Sequence, residues 1–315
     1  MIEIKGLSKI YNGERVVDHA DMQLETGTIT VIVGTSGSGK STLLRMINRL
    51  IDADEGTVLI DGQDTRDMGL DALRRRIGYV IQDHGLFPHW TVARNVATVP
   101  KLLGWSAPDI KARVREMLET FQLDPDRYGP RFPHELSGGQ AQRVGVARAL
   151  AARPDMLLMD EPFGALDPVI RAQAQDELRT VQKQFGATVL MVTHDMAEAL
   201  SLGDKIAVMN AGKIVQIGPP EEIVTRPANP FVRSLIAATD RPFRRLALIG
   251  LEDHIVSGTA QGPAIAPDAS LADALSQMIW SGRDALPVVD AQTAPDAPAH
   301  KIITLRDVLR LGQAQ

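Results

Sequence analysis

"GTSGSGKS", residues 34–41, is the stretch that decides the fold. The pattern G-x-x-x-x-G-K-[ST] is physically demanding. Successive backbone N–H groups have to face phosphates at a helix N-terminus, and glycines have to let the chain come close to them. Val31, Ile32 and Val33 supply an apolar strand ahead of the loop, and "STLLRMINRL" (residues 41–50) supplies a helix behind it. Gly34, Gly37 and Gly39 make the turn, with Thr35, Ser36 and Ser38 between them. Lys40 is expected to reach the β- and γ-phosphates, and Ser41, followed by Thr42, to ligate Mg2+.

Working outward, short apolar runs recur at "TITVIVG" (28–34), "IGYVIQ" (77–82), "MLLMDEP" (156–162), "ATVLMVTHD" (187–195) and "KIAVMN" (205–210). Near-continuous apolar strands alternating with helical patterns indicate a mostly parallel sheet covered on both faces, hence an α/β protein. "MLLMDEP" ends in two carboxylates, so Asp160 emerges at the carboxyl edge of the sheet, where ligands sit in open α/β folds. Asp160 is expected to hold Mg2+ through water, and Glu161 to polarise the attacking water as general base. The plainer alternative is a solvated acidic strand end.

Between residues 91 and 152 no strand pattern appears, and "PDIKARVREMLETFQL" (108–123) repeats apolar residues at helical spacing, which predicts a helical insertion. "NAGKIVQIG" (210–218) predicts a hairpin with an Ala-Gly turn, after which Pro219 and Pro220 stop the strand and open a short helix. The first domain is expected to span 1–238. Composition changes from 239 to 315, with a basic "RPFRR" (241–245) and a Pro/Ala-rich "AQTAPDAPAH" (291–300), so a small second domain is expected there. Within it, "SLADALSQMIWSG" reads as a helix, "ALPVVD" as a strand and "KIITLRDVLRL" as a strand leading into a helix.

The totals exclude several classes. The chain has 315 residues, 44% of them hydrophobic, and no apolar run approaches the roughly 18 residues that a membrane-spanning helix needs. No cysteine is present, which removes disulfides, Cys-ligated zinc and a Cys nucleophile. A net charge of -5 gives no general drive toward nucleic acid. The first residues lack an export pattern, so the chain is expected to stay where it is made.

A second glycine-rich stretch, "LSGGQAQR" (136–143), lies in the helical insertion between the phosphate loop and the Asp-Glu strand. Alone, Ser-Gly-Gly is more often a plain turn. In this order and context it resembles the signature of the ATP-binding cassette (ABC) ATPases, a P-loop NTPase fold with an antiparallel β subdomain and a helical insertion. The resemblance covers residues 1 to about 238. It implies that ATP is sandwiched between the phosphate loop of one copy and the signature of another, so that the chain works as a homodimer. Ser137, Gly138, Gly139 and Gln140 then serve a nucleotide bound by the partner. By the same resemblance Gln82 senses Mg2+ and water and links to a membrane partner, Asp167 crosses the dimer interface, and His194 contacts the γ-phosphate. Tyr11 stands where a ring stacks on adenine, with simple packing as the other reading. Ala141 departs from the many importer cassettes that have a second glutamine there.

"RMINRLI", "LRRRIGYVIQ", "GLFPHWTVARNVATVPKLLGW" and "PFGALDPVIR" resemble the cassettes that drive uptake of glycine betaine, choline, carnitine and related osmoprotectants. That implies two integral-membrane permeases, an extracytoplasmic binding protein, and a peripheral position on the cytoplasmic face of the inner (plasma) membrane. The stretch 85–90 is expected to help form the permease groove. "ALPVVD…KIITLRDVL" resembles half of a CBS (cystathionine-β-synthase type) pair, in which Thr304 and Asp307 hold ribose; the alternative is that they cap the last helix. Import of another small solute, such as an amino acid or polyamine, and a soluble ABC ATPase are the competing functions.

Overall fold

The computed structural model describes residues 1–82, 85–236, 241–289 and 301–312. The chain divides into two compact units, Met1–Pro219 and Pro220–Gln315. The boundary expected after residue 238 falls among residues outside the described set, as does the 291–300 loop.

The first unit holds two sheets. One is antiparallel, in the order β2 (Glu14–Leu24), β1 (Ile2–Tyr11), β4 (Glu55–Ile60) and β5 (Gln63–Asp64). Its strands alternate: Ala20, Met22 and Leu24 are buried while Asp21 and Gln23 face solvent, as a sheet with one face on the core requires. The other sheet runs β10 (Lys213–Gly218), β9 (Lys205–Asn210), β3 (Ile29–Val33), β8 (Thr188–Thr193), β7 (Met156–Asp160) and β6 (Ile77–Val80). Every pairing in it is parallel except that of the edge strand β10 with β9. All residues of β3, β7 and β8 are buried, the mark of strands covered on both faces. The β9–β10 hairpin turns at Ala211 and Gly212, both in left-handed backbone conformation.

No strand falls between β6 and β7 among the described residues; helices Val92–Val96, Thr98–Leu102, Ala107–Thr120, Pro125–Tyr128 and Gly138–Leu150 fill the interval. Ser106 caps the long Ala107–Thr120 helix by accepting from the Asp109 N–H. From that helix the buried Arg113 donates to Leu150 O and Ala151 O at 2.9 Å each, satisfying carbonyls at the end of Gly138–Leu150.

The second unit is a three-stranded antiparallel sheet, in the order β11 (Val256–Ser257), β13 (Lys301–Thr304), β12 (Ala285–Pro287). Helices Leu271–Ser281 and Leu305–Gly312 pack Leu275, Met278 and Val308 into its own core with Leu286 and Ile303. Thr304 and Asp307 hydrogen-bond each other, and the Asp307 N–H donates to Thr304 Oγ1, so the pair sits as a cap on the last helix.

Candidate functional site

Strand β3 delivers the chain into the loop, and the loop is seated against β9 and β2. A Cβ on Gly34 would lie 2.0 Å from Met209 O, and one on Gly39 would lie 2.4 Å from Val16 O, so only glycine fits either place. Gly37 and Gly39 have φ of 78° and 97°, and Gly39 leads into helix Lys40–Ile47 with no side-chain cap. Thr35, Ser36 and Gly37 are exposed, whereas Ser38, Gly39 and Lys40 are buried and Ser41 and Thr42 half-buried. The Lys40 Nζ donates to Gly34 O and Thr35 O, both at 2.9 Å. Burial pushes its pKa down, opposed by the nearby Glu161 and Asp160 carboxylates.

Asp160 ends β7 with its side chain buried, and its Oδ1 accepts from Ser41 Oγ at 2.7 Å. Hydroxyl and carboxylate together make an oxygen-only pair of the kind hard divalent cations take. The other oxygen of Asp160 faces Arg45 Nη2 at 3.4 Å. Arg45 in turn is held by the Tyr79 hydroxyl on β6, which raises the guanidinium pKa, while burial raises that of Tyr79. Both residues lie in stretches that carry the family resemblance, but their partners lie far away in sequence.

One residue on, the chain bends sharply. Glu161 has φ of 45°, a left-handed conformation costly for a residue with a side chain, and its N–H donates to Val192 O at 3.0 Å. Its Oε2 lies 3.1 Å from His194 Nδ1, at the end of β8. His194 is fixed by its neighbours: Asp195 caps helix Met196–Leu202, and the buried Thr193 hydroxyl donates to Glu198 at 2.7 Å. Burial raises the Glu198 pKa, against the Thr193 hydrogen bond.

The signature residues form a separate group. Ser137 Oγ accepts from the Gln140 N–H at 3.3 Å, and Gln140 Oε1 accepts from the Ser137 N–H at 3.0 Å, a reciprocal cap on helix Gly138–Leu150. The Gln140 amide also donates to the Tyr128 hydroxyl at 3.2 Å. Among the described residues no hydrogen bond joins Ser137, Gly138, Gly139 or Gln140 to residues 34–42. Asp167 caps helix Pro168–Phe185 by accepting from the Val169 and Ile170 N–H groups. Gln82 is exposed in the turn after β6, and residues 83–84 are outside the described set. Tyr11, 43% exposed, has Lys9 Nζ 5.3 Å from its ring centroid.

The stretch from Phe87 to Asn95 is tightly held. Phe87 and Trp90 pack with ring centroids 4.4 Å apart and planes tilted by 42°. The buried Asn95 amide accepts from the Phe87 N–H and donates to Phe87 O, Trp90 O and Thr91 O. Among the described residues no helix is long and apolar enough to cross a membrane.

Residues 17–164 match the ABC transporter family model. The chain is 45% identical over 301 residues to the glycine betaine uptake system ATP-binding protein YehX of Escherichia coli, covering 95% of this chain and 97% of that protein. It is 43% identical over 293 residues to the glycine betaine/carnitine/choline transport ATP-binding protein OpuCA of Bacillus subtilis, covering 93% of this chain and 76% of that one. Among solved structures, the dimeric ATP-binding cassette MJ0796 bound to ADP and Pi aligns with a TM-score of 0.62 and 32% identity, covering 70% of this chain and 99% of that one. With a phosphate loop, an Asp-Glu strand and a signature helix in this arrangement, the chain belongs to the ABC transporter ATP-binding proteins, ATPases coupled to transport.

Proposed function

We propose that this chain is the ATP-hydrolysing subunit of an importer for glycine betaine or a related quaternary-amine osmoprotectant. The observation that carries this reading is the near-full-length similarity to YehX. In this reading two copies sit on the cytoplasmic face of the plasma membrane beneath two permeases that receive solute from an extracytoplasmic binding protein. Residues 85–90 and Gln82 meet the permease.

The chemistry then follows from the side chains. The triphosphate lies on N–H groups of the loop and of the first turn of helix Lys40–Ile47, which no side chain caps, and Lys40, with two of its three N–H groups on loop carbonyls, has the third for a phosphate oxygen. Ser41 and Asp160, with Gln82, are the residues that would hold Mg2+; the ion would neutralise phosphate charge there. Glu161, turned off its strand, takes the proton from the attacking water, and His194 orients that carboxylate and contacts the γ-phosphate. Water adds to phosphorus, the bond to the ADP oxygen breaks, and phosphate leaves. The partner supplies its Ser137 hydroxyl, the N–H groups of its Gly138 and Gly139, Gln140, and Asp167 across the interface; Tyr11 stacks on adenine. Residues 239–315 we read as a CBS-like regulatory half, with Thr304 and Asp307 as helix cap rather than ribose ligands.

The test is uptake of labelled glycine betaine and choline by cells deleted for this chain and complemented with wild type or Glu161→Gln, at low and high osmolarity. Restoration by wild type alone is the expected result. Equal uptake in all strains would discard the solute class.

A further inference from the structure

Arg143 lies within helix Gly138–Leu150, and Glu177 within Pro168–Phe185. Arg143 Nε donates to Glu177 Oε2 at 2.7 Å, and its Nη2 donates to Glu177 Oε1, a two-pronged contact between a guanidinium and a carboxylate. The two side chains are only 23% and 19% exposed, and they line an apolar hollow with Phe121, Val146, Phe163, Ala174 and Leu178. The same two helices also meet at their first turns. A Cβ on Gly139 would stand 2.6 Å from Ile170 Cγ2, and one on Gly138 would stand 3.5 Å from Leu166 Cδ2. Arg171 Nη2 donates to Leu166 O at 2.9 Å, fixing the turn that precedes Asp167.

These contacts have a directional logic. The close approach at Gly139 sets the spacing of the two helix starts, but an apolar contact lets helices slide. A planar guanidinium paired with both carboxylate oxygens does not, because sliding breaks one of two parallel hydrogen bonds. We infer that Arg143 and Glu177 are positioning residues that lock the 137–140 segment and Asp167 into one piece, so that both are presented to a partner subunit in fixed register. The inference rests on the reading that those segments act in the partner's nucleotide site. Neither side chain touches the phosphate loop, so the pair acts on assembly of the shared site and leaves nucleotide capture by one subunit alone.

The experiment uses the full chain carrying Glu161→Gln, with ATP-driven dimerisation followed by sedimentation and ATP binding followed separately by a fluorescent nucleotide. Arg143→Glu and Glu177→Arg are each expected to weaken the dimer about tenfold or more, as loss of a charged hydrogen-bonded pair does, with ATP binding per subunit unchanged. Arg143→Lys, which keeps the charge and loses the fork, falls between, and carries the test should a reversal fail to fold. The exchanged double variant Arg143→Glu/Glu177→Arg restores dimerisation. Undiminished dimerisation in the single variants overturns the inference, as does a loss matched by equal loss of ATP binding, or one that the exchange does not repair. If the Glu161→Gln parent itself fails to dimerise with ATP, the shared-site reading falls and the lock falls with it.

Discussion

Helix Lys40–Ile47 starts from Gly39 in left-handed conformation with no side chain on its free N–H groups; helix Gly138–Leu150 starts from Ser137, which takes the Gln140 N–H while Gln140 takes its own. The first leaves donors for an external anion. The second satisfies a donor internally, and has the N–H groups of Gly138 and Gly139 and a hydroxyl proton left to lend. On the proposed function, a helix start that captures a nucleotide and one that completes another copy's site are thus distinguished by their caps, although both are written in serines and glycines.

Mutations can break that comparison. The largest effect is expected from Lys40→Ala, which removes the ammonium shared by the loop carbonyls and the phosphates: ATP affinity should fall on the order of a hundredfold, with turnover lost, in a fluorescent-nucleotide titration. Unaltered affinity would mean the uncapped helix start suffices. Next comes the pair Gly39→Ala and Gly138→Ala. The first forces a side chain into φ of 97° and against Val16 O, and should cost about 1–3 kcal/mol in chemical denaturation as well as ATP binding. The second meets Leu166 only at ordinary contact distance, so folding should change by less than about 0.5 kcal/mol, and the loss should appear in turnover alone. Equal effects would erase the distinction between the two starts. Ser137→Ala should cost about 1 kcal/mol of stability through the lost cap and leave ATP binding by one subunit intact while slowing hydrolysis. With no effect expected on the nucleotide site, Thr304→Ala should remove about 1 kcal/mol from the second unit and leave nucleotide binding by the first unchanged; a change in binding would argue for more than a cap at the last helix.

The loop, the Asp-Glu strand and the β9–β10 turn were legible because each is local: its chemistry and its residues lie within one short stretch. The helical insertion was legible as an absence of strand patterns. The antiparallel sheet was expected without its strands being located, although the alternation in Ala20, Met22 and Leu24 was there to be read. What sequence could not supply is pairing at a distance. Arg45 and Tyr79 beside the Asp160 carboxylate, Glu177 opposite Arg143, and Asn95 bonded to the Phe87 backbone are ordinary residues whose meaning comes from their partners. The left-handed bend at Glu161 is likewise imposed by its surroundings, since nothing in "MDEP" calls for it.

The sheet order has a consequence for how the chain is made. Strand β3, which feeds the phosphate loop, has no neighbour in its sheet until β8 and β9, some 160 residues later in the chain, and the back of Gly34 rests on Met209. At about 5–20 residues per second of synthesis, the loop leaves the ribosome roughly 8–30 seconds before the walls that shape it. The helices between β6 and β7 close mainly local contacts and can form during that wait. A nascent chain therefore has its signature helix before it has a place for ATP, and nucleotide can stabilise the fold only once the last parallel strand has emerged.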